Sequence, residues 1–232
     1  MIGKGKSISH GVAALEYDLA KEIDGQAAAT EIARHELYGC TGAEMVQEMK
    51  PYHIDFPNVK NNCLRFEVSP SIEESATFTD ADWAELGNDF MQRMGLANHQ
   101  YIIIRHSGTE SKKEQAHLHI LANRVSLSGE LYRDNWIGKK ATEAANAIAK
   151  ERNFVQSQDI GKVNKAEIKE AMDGVLKKMQ GFDLTKFKEE LGKRGFKVRE
   201  ARASTGKLNG YYVTARSGTE YKASEIGKGY TC

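Results

Sequence analysis

Cysteine, proline and net charge are all scarce in this 232-residue chain, and these scarcities exclude several classes of protein. Three cysteines, an odd number without short spacing, exclude a disulfide framework and a cysteine-based zinc site, and they fit a reducing cytoplasm. No apolar run approaches the roughly 20 residues of a membrane-spanning helix, and no apolar segment follows the charged N-terminus, so we expect neither membrane insertion nor a secretory signal. A hydrophobic fraction of 40% is enough to form a core, which excludes a disordered chain.

The near-zero total charge of +1 conceals an uneven distribution along the chain. From Lys165 onward there are 15 Lys and Arg against 9 Asp and Glu, whereas residues 1–164 carry 18 against 23. A basic region on a neutral protein indicates a local anionic partner, of which nucleic acid is the commonest. An ordinary solvated surface explains the same charge equally well.

Hydrophobic periodicity predicts both strands and helices. Alternation and β-branched runs predict strands over 62–69, 101–105, 116–125, 196–202 and 210–215. Helical spacing and capping residues predict helices over 8–36, 43–49, 80–94, 139–153 and 164–194, the last broken near residue 180. The nine-residue polar loop 107–115 fits a hairpin better than a crossover. We therefore predict an α+β fold with a mainly antiparallel central sheet flanked by helices.

Three histidines fall where this hairpin would bring them together. His117 and His119 point to one face of their strand, while Leu118, Ile120 and Ala122 occupy the other. His106 ends the preceding strand, and antiparallel pairing would bring it close to the other two. Three converging imidazoles form a site for a divalent transition metal; hydrogen-bonded surface histidines are the alternative.

The stretch 101–125, YIIIRHSGTESKKEQAHLHILANRV, resembles the metal-binding motif of conjugative relaxases of the MobA type, within the HUH endonuclease superfamily. That motif joins a first His and a nearby acid to H-x-H-x-x-x-N-R-[VI] on the next strand. His106 matches the first His, and His117, His119, Asn123 and Arg124 match the second part. Gly108 occupies the position of the acid, so Glu110 is its nearest substitute.

The resemblance also implies an activity and roles for individual residues. The opening KGKSISHGVAALEYDLAKE is similar to the family segment whose helix carries the nucleophilic tyrosine, and Tyr17 occupies that position. The implied activity is a metal-dependent nick at a transfer origin that leaves a 5′-phosphotyrosine, with Mg²⁺ or Mn²⁺ held by the three histidines. Asn123 would support a metal ligand through a hydrogen bond. Glu110 is a candidate either to orient His106 or to take the phenol proton; a solvated loop charge is the alternative.

Basic and aromatic residues are the candidates to hold a DNA strand across such a site. Of Tyr211 and Tyr212, one should be buried, because neighbours in a strand face opposite ways. The candidates for DNA binding are Lys4, Lys6, Arg105, Arg124, Lys207, Tyr212 and Arg216.

The resemblance covers most of the chain and implies its organisation. Residues 1–162 are expected to form the relaxase core, and residues 163–232 a basic helix-plus-hairpin part of the same domain. The expected partners are single-stranded and hairpin DNA, accessory mobilization proteins and a coupling protein, with the chain itself a monomer. Two alternatives stay open: a replication-initiator or transposase-type nuclease with the same H-x-H chemistry, and a DNA-binding protein without catalysis.

Overall fold

The computed structural model describes residues 1–108 and 115–230 and divides the chain into two compact units, Met1–Ser157 and Gln158–Cys232. The elements of the first unit are β1 (Ile2–Ile8), α1 (Gly11–Leu19), β2 (Glu22–Ile23), β3 (Gln26–Ala27), β4 (Ala29–His35), α2 (Gly42–Met49), β5 (Cys63–Ser69), α3 (Ile72–Ser75), α4 (Asp80–Arg93), β6 (His99–His106), β7 (His117–Ser126) and α5 (Ile137–Glu151). A 3₁₀ turn, Lys50–His53, follows α2.

The central sheet of the first unit has the strand order β1-β5-β7-β6-β4, and every neighbouring pair is antiparallel. The predicted fold class is therefore confirmed. β6 and β7 pair directly, as the hairpin prediction required. β7 lies at the centre of the sheet, and β1 and β4 form its edges.

One face of the sheet is covered by α4 and α5. Leu118, Ile120 and Ala122 of β7 are fully buried there against the apolar sides of the two helices. The edge strand β1 approaches α5 closely, because a Cβ built on Gly3 would lie 2.4 Å from the carbonyl oxygen of Ala141. Glycine at this position is thus a packing requirement.

The other face is covered by α1 and α2, but only along part of its length. Leu15, Met45, Ile102 and Leu121 belong to the apolar cluster at that part. Towards the opposite end of the same strands the side chains become polar, and these residues include the three histidines. The uncovered, polar part of this face is therefore where a site can form.

The second unit is a three-stranded antiparallel sheet packed against two helices. Its elements are α6 (Ser157–Leu176), α7 (Leu184–Lys193), β8 (Lys197–Arg202), β9 (Leu208–Thr214), β10 (Glu220–Lys222) and α8 (Ala223–Ile226). Side chains from α6, α7 and β9 form its own apolar core. None of the helices in residues 1–108 and 115–230 is long and apolar enough to cross a membrane.

One predicted helix differs from the structure. The helix predicted over 8–36 ends at Leu19, and the alanine-rich remainder forms short strands and the edge strand β4, which pairs with β6. Alanine favours helices, but pairing with a strand as apolar as β6 outweighs that local preference. The division expected between residues 162 and 163 lies inside α6, and the two compact units of the structure are Met1–Ser157 and Gln158–Cys232.

Candidate metal centre

The sheet register brings the three predicted histidines to one point. His106, the last residue of β6, is the direct cross-strand partner of His117, the first residue of β7. The ring centroids lie 5.4 Å apart for His106 and His117, 4.4 Å for His106 and His119, and 4.9 Å for His117 and His119. One nitrogen from each ring lies within 4.8 Å of the others. Three ring nitrogens this close together form a group that can hold one metal ion.

Backbone carbonyls fix the protonated nitrogen of two of these rings. His106 donates from Nε2 to the carbonyl oxygen of Asp18 at 2.8 Å, and His117 donates from Nδ1 to the carbonyl oxygen of Gln115 at 2.9 Å. Each ring is left with one unprotonated nitrogen, Nδ1 in His106 and Nε2 in His117. Outer hydrogen bonds of this kind select the tautomer that binds a metal, so the donor set fits a divalent cation.

Burial favours the uncharged form of His106 and His119. It lowers the pKa of His119 to about 2, with the charges of His106 and His117 acting in the same direction. Burial is also the main cause that lowers the pKa of His106. Neutral imidazoles have the lone pair that a metal ligand needs, and they do not repel a cation.

A buried ion pair connects the cluster with the helix that carries Tyr17. Asp18 is 2% exposed and accepts hydrogen bonds from the guanidinium of Arg65, from Nε at 3.1 Å and from Nη2. Arg65 Nη2 also lies 3.4 Å from His119 Nδ1, and the Asp18 carboxylate lies 3.8 Å from the same nitrogen. Burial raises the pKa of Asp18, and Arg65 opposes that rise.

Tyr17 itself points away from the core. Its side chain is 60% exposed, and the ammonium of Lys21 lies 5.7 Å from the ring centroid. Asp18, the next residue along α1, bonds to His106 through its carbonyl oxygen and to Arg65 through its carboxylate. The end of α1 is therefore attached to the histidine cluster, while the phenol is open to solvent.

A cavity of about 200 Å³ adjoins His119 on the same face of the sheet. Lys4, Lys6, Arg65 and Glu67 contribute its polar walls, and Lys4 forms an ion pair with Glu67 at 2.8 Å. Lys6 is exposed and has no ion-pair partner within residues 1–108 and 115–230. Lys4 is paired with Glu67 and Arg65 with Asp18, so Lys6 gives this cavity its excess of positive charge, which suits an anion.

Three other candidates are used for internal contacts. Asn123 is fully buried, and its side-chain bonds within the described chain go to Met49, Gln100, His53 and the backbone of Val125. The expected hydrogen bond from Asn123 to a histidine of the cluster is absent among them. Four residues along a strand span about 13 Å, so Asn123 is too far from His119 to support it.

Arg105 and Arg124 also differ from expectation. Arg105 alternates with His106, so it lies on the opposite face, where it forms an ion pair with Asp80. Arg124 is 13% exposed and is bonded to Asp134 and to two backbone carbonyls. Because these guanidinium groups are already paired, neither is placed for a phosphate beside the histidines.

The remaining candidates lie elsewhere. Lys207 is exposed in the turn between β8 and β9, and Arg216 is exposed with its guanidinium 5.1 Å from the Phe196 ring. Tyr212 is partly exposed beneath the guanidinium of Arg199 at 4.3 Å, while Tyr211 is buried, as alternation required. These residues belong to the second unit. Glu110 lies outside the described residues.

Asp18 and Arg65 were not identified as site residues from the sequence. The two residues are 47 positions apart in the chain, and neither belongs to a recognisable sequence motif. The only local signal was an aspartate on the buried side of the tyrosine helix, where an isolated charge is costly and requires a partner. Nothing in the sequence identified which residue that partner is.

The three histidines form a candidate metal centre on an antiparallel sheet. A cavity that suits an anion adjoins it, and the helix attached to it carries an exposed tyrosine, so the arrangement fits phosphate chemistry. Residues 17–154 match the model of a family described as relaxase, MobA/VirD2-like, nuclease domain. Because the match covers more than half of the chain, the chain belongs to this family of relaxase nucleases.

Other comparisons add less. No curated protein matches the chain. Among solved structures, the metal-bound complex of the conjugative relaxase TrwC with oriT DNA shares 12% identity and a TM-score of 0.37, over 89% of this chain and 74% of that one. The metal-free TrwC complex shares 10% identity and a TM-score of 0.40 over the same proportions. Likeness at this level carries no argument about function.

Proposed function

We propose that this relaxase nicks one DNA strand at a transfer origin and remains attached to it through Tyr17. In the proposed step, the phenol oxygen of Tyr17 forms a bond to the scissile phosphorus, and the bond from phosphorus to the 3′ oxygen breaks. The phenol proton is lost and the leaving strand ends in a 3′-hydroxyl. Reversal recloses the strand, which is the reaction that conjugative mobilization requires.

The observation that carries this proposal is the attachment of the tyrosine helix to the histidine cluster. Tyr17 is exposed, whereas Asp18 beside it is buried and bonded to His106 and Arg65. An attacking group must be both accessible and held in position, because a displacement of about 1 Å lowers the reaction rate strongly. This arrangement supports Tyr17 as the nucleophile.

The histidines and the cavity have complementary roles in the proposal. A divalent cation held by His106, His117 and His119, which we propose to be Mg²⁺ or Mn²⁺, would polarise the scissile phosphate and stabilise its developing charge. Lys6 would bind a phosphate oxygen of the same strand in the adjoining cavity. The basic second unit is proposed to extend the DNA contacts, as part of the same relaxase domain.

The wider setting of the reaction is also a proposal. A relaxase acting on an origin would bind its single-stranded and hairpin DNA, together with accessory mobilization proteins and a coupling protein. We propose that the chain acts as a monomer in the cytoplasm.

Covalent adduct formation tests the nucleophile. The purified chain, Mn²⁺ and a supercoiled plasmid carrying the DNA that flanks the gene should give a nicked product with protein on its 5′ end. Tyr17→Phe should abolish the adduct and leave DNA binding within a few-fold. Tyr38→Phe is the matched control, because Tyr38 is 77% exposed in the same unit and lies on no element of the site. An adduct that survives Tyr17→Phe contradicts the assignment.

Calorimetric titration with Mn²⁺ tests the metal centre without knowledge of the DNA. His117→Ala should weaken binding at least about tenfold, because it removes one of three ligands. His10→Ala is the control, since His10 is an exposed histidine outside the cluster. If both variants bind Mn²⁺ with equal affinity, and DNA binding does not depend on Mn²⁺, a DNA-binding protein without catalysis is favoured.

A further inference from the structure

Trp136 is the most conspicuous residue that the proposed reaction does not use. It is 81% exposed, whereas Trp83, the only other tryptophan in the sequence, is 2% exposed. Its backbone is left-handed, with φ +58°. A bulky side chain rarely adopts this conformation, which has a conformational cost. The indole is therefore mostly in solvent and accessible to a ligand.

The surroundings of Trp136 indicate an anionic ligand. Trp136 is the N-cap residue of the 15-residue helix α5, makes no capping hydrogen bond through its side chain, and is followed by no acidic residue in the first turn. The N–H groups of that turn and the helix dipole favour negative charge. Arg133 and Lys139 are exposed on either side. Lys139 pairs with Glu143 at 3.8 Å, whereas Arg133 has no side-chain partner among residues 1–108 and 115–230.

The start of α5 also lies close to the cavity beside the histidines. A Cβ built on Gly138, two residues after Trp136, would lie 3.5 Å from the carbonyl oxygen of Gly5. Gly5 and Lys6 line the cavity that reaches His119. Gly5 of the edge strand β1 therefore both lines the cavity and lies next to the start of α5.

We propose that Trp136 is a stacking platform for one unpaired base of a DNA strand that leaves the cavity over β1. The flanking phosphate would bind at the start of α5, with Arg133 and Lys139 beside it. An aromatic face next to a basic, anion-binding surface is the arrangement that binds single-stranded nucleic acid without reading its sequence. This inference rests on the proposed function, because it requires that the chain binds DNA as a single strand.

The test is direct binding to a fluorescently labelled oligo-dT of about 16 nucleotides, a length that covers one single-strand site. Trp136→Ala should weaken binding about 5- to 100-fold, and Trp136→Phe should keep it within a few-fold because phenylalanine also stacks. Val155→Ala, an exposed apolar residue beyond the other end of α5, should leave affinity unchanged. Saturating oligo-dT should quench the emission of Trp136, while buried Trp83 keeps its own.

Trp136→Asn separates binding from folding. Asparagine tolerates a positive φ and caps helices well, so this variant should melt no lower than the unaltered chain and yet bind oligo-dT as weakly as Trp136→Ala. A lower melting temperature would make Trp136 a structural residue and overturn the proposal.

Two further outcomes overturn the stacking proposal in distinguishable ways. If the chain binds oligo-dT but Trp136→Ala binds equally well without any quenching, stacking is refuted and DNA binding stands. If Trp136→Ala weakens a duplex of the same length as much as the single strand, the contact is not with an unpaired base. Failure of the unaltered chain to bind either DNA would refute the proposed function as well.

Discussion

The ion pair between Asp18 and Arg65 gives the sharpest prediction about how the site is built. Asp18→Asn keeps the shape of the side chain but leaves the guanidinium without its carboxylate. Removing one partner of a buried pair costs about 3–5 kcal/mol, because a charge is left uncompensated in the interior. Arg65 keeps 19% of its side chain in water, so we expect the lower end, about 3 kcal/mol in the free energy of unfolding.

Urea denaturation followed by tryptophan emission measures this loss. Trp83 is buried in the first unit and reports its unfolding, whereas Trp136 is already in solvent. Asp80→Asn is the matched control, because Asp80 also pairs with an arginine in the same unit but is 65% exposed. That variant should lose less than about 1 kcal/mol.

A double variant checks the cause. Replacing both charges, as in Asp18→Asn with Arg65→Met, leaves no unpaired ion and should recover much of the stability. The reasoning is refuted if Asp18→Asn is no more destabilising than Asp80→Asn, or if the second substitution adds its own full loss.

Three further predictions concern the packing that supports the site. Gly3→Ala should destabilise the first unit by about 1–3 kcal/mol, because the new Cβ would meet the backbone of α5. Gly138→Ala should be neutral or stabilise the unit by up to about 1 kcal/mol, and thermal melts of the two variants measure the difference. The free energy of unfolding should fall by about 2–5 kcal/mol in Leu121→Ala and by the same range in Ile120→Ala. Only Leu121 lies under the tyrosine helix, so nicking per folded molecule should fall more for Leu121→Ala. Asn123→Ala should cost about 2 kcal/mol by leaving buried polar groups unpaired, with Mn²⁺ affinity by calorimetry unchanged.

Strands with a clear apolar pattern were predicted from the sequence. β5 and β7 were predicted from alternating apolar side chains, and β6 was predicted from a run of β-branched residues. β1 was missed because the positions that face α5 are glycines, buried Gly3 and half-buried Gly5, and glycine gives no hydropathy signal. The requirement for glycine comes from α5, more than 130 residues away in the chain, and local periodicity does not contain it.

The site was predictable to the extent that it follows from strand register. A hairpin and two-residue alternation were enough to bring His106 to His117 and His119, and the structure confirms that convergence. Arg124 and Asn123 belong to the same motif, yet the structure uses both to join neighbouring segments. A motif on a single strand does not show which of its residues face the site and which bond to neighbouring elements.

The same strands build both the apolar core and the polar site, and this explains why periodicity alone cannot separate them. On the face beneath α1 and α2, β7 carries His117 and His119 at one end and Leu121 next along the strand. α1 covers the apolar end with Leu15 and reaches the polar end only with Asp18. Burial of Leu15 therefore fixes the helix, and the carbonyl of Asp18 fixes its end against His106. Tyr17, one residue earlier on the same helix, is left in solvent, so packing at the apolar end of the face fixes the helix that carries the proposed nucleophile.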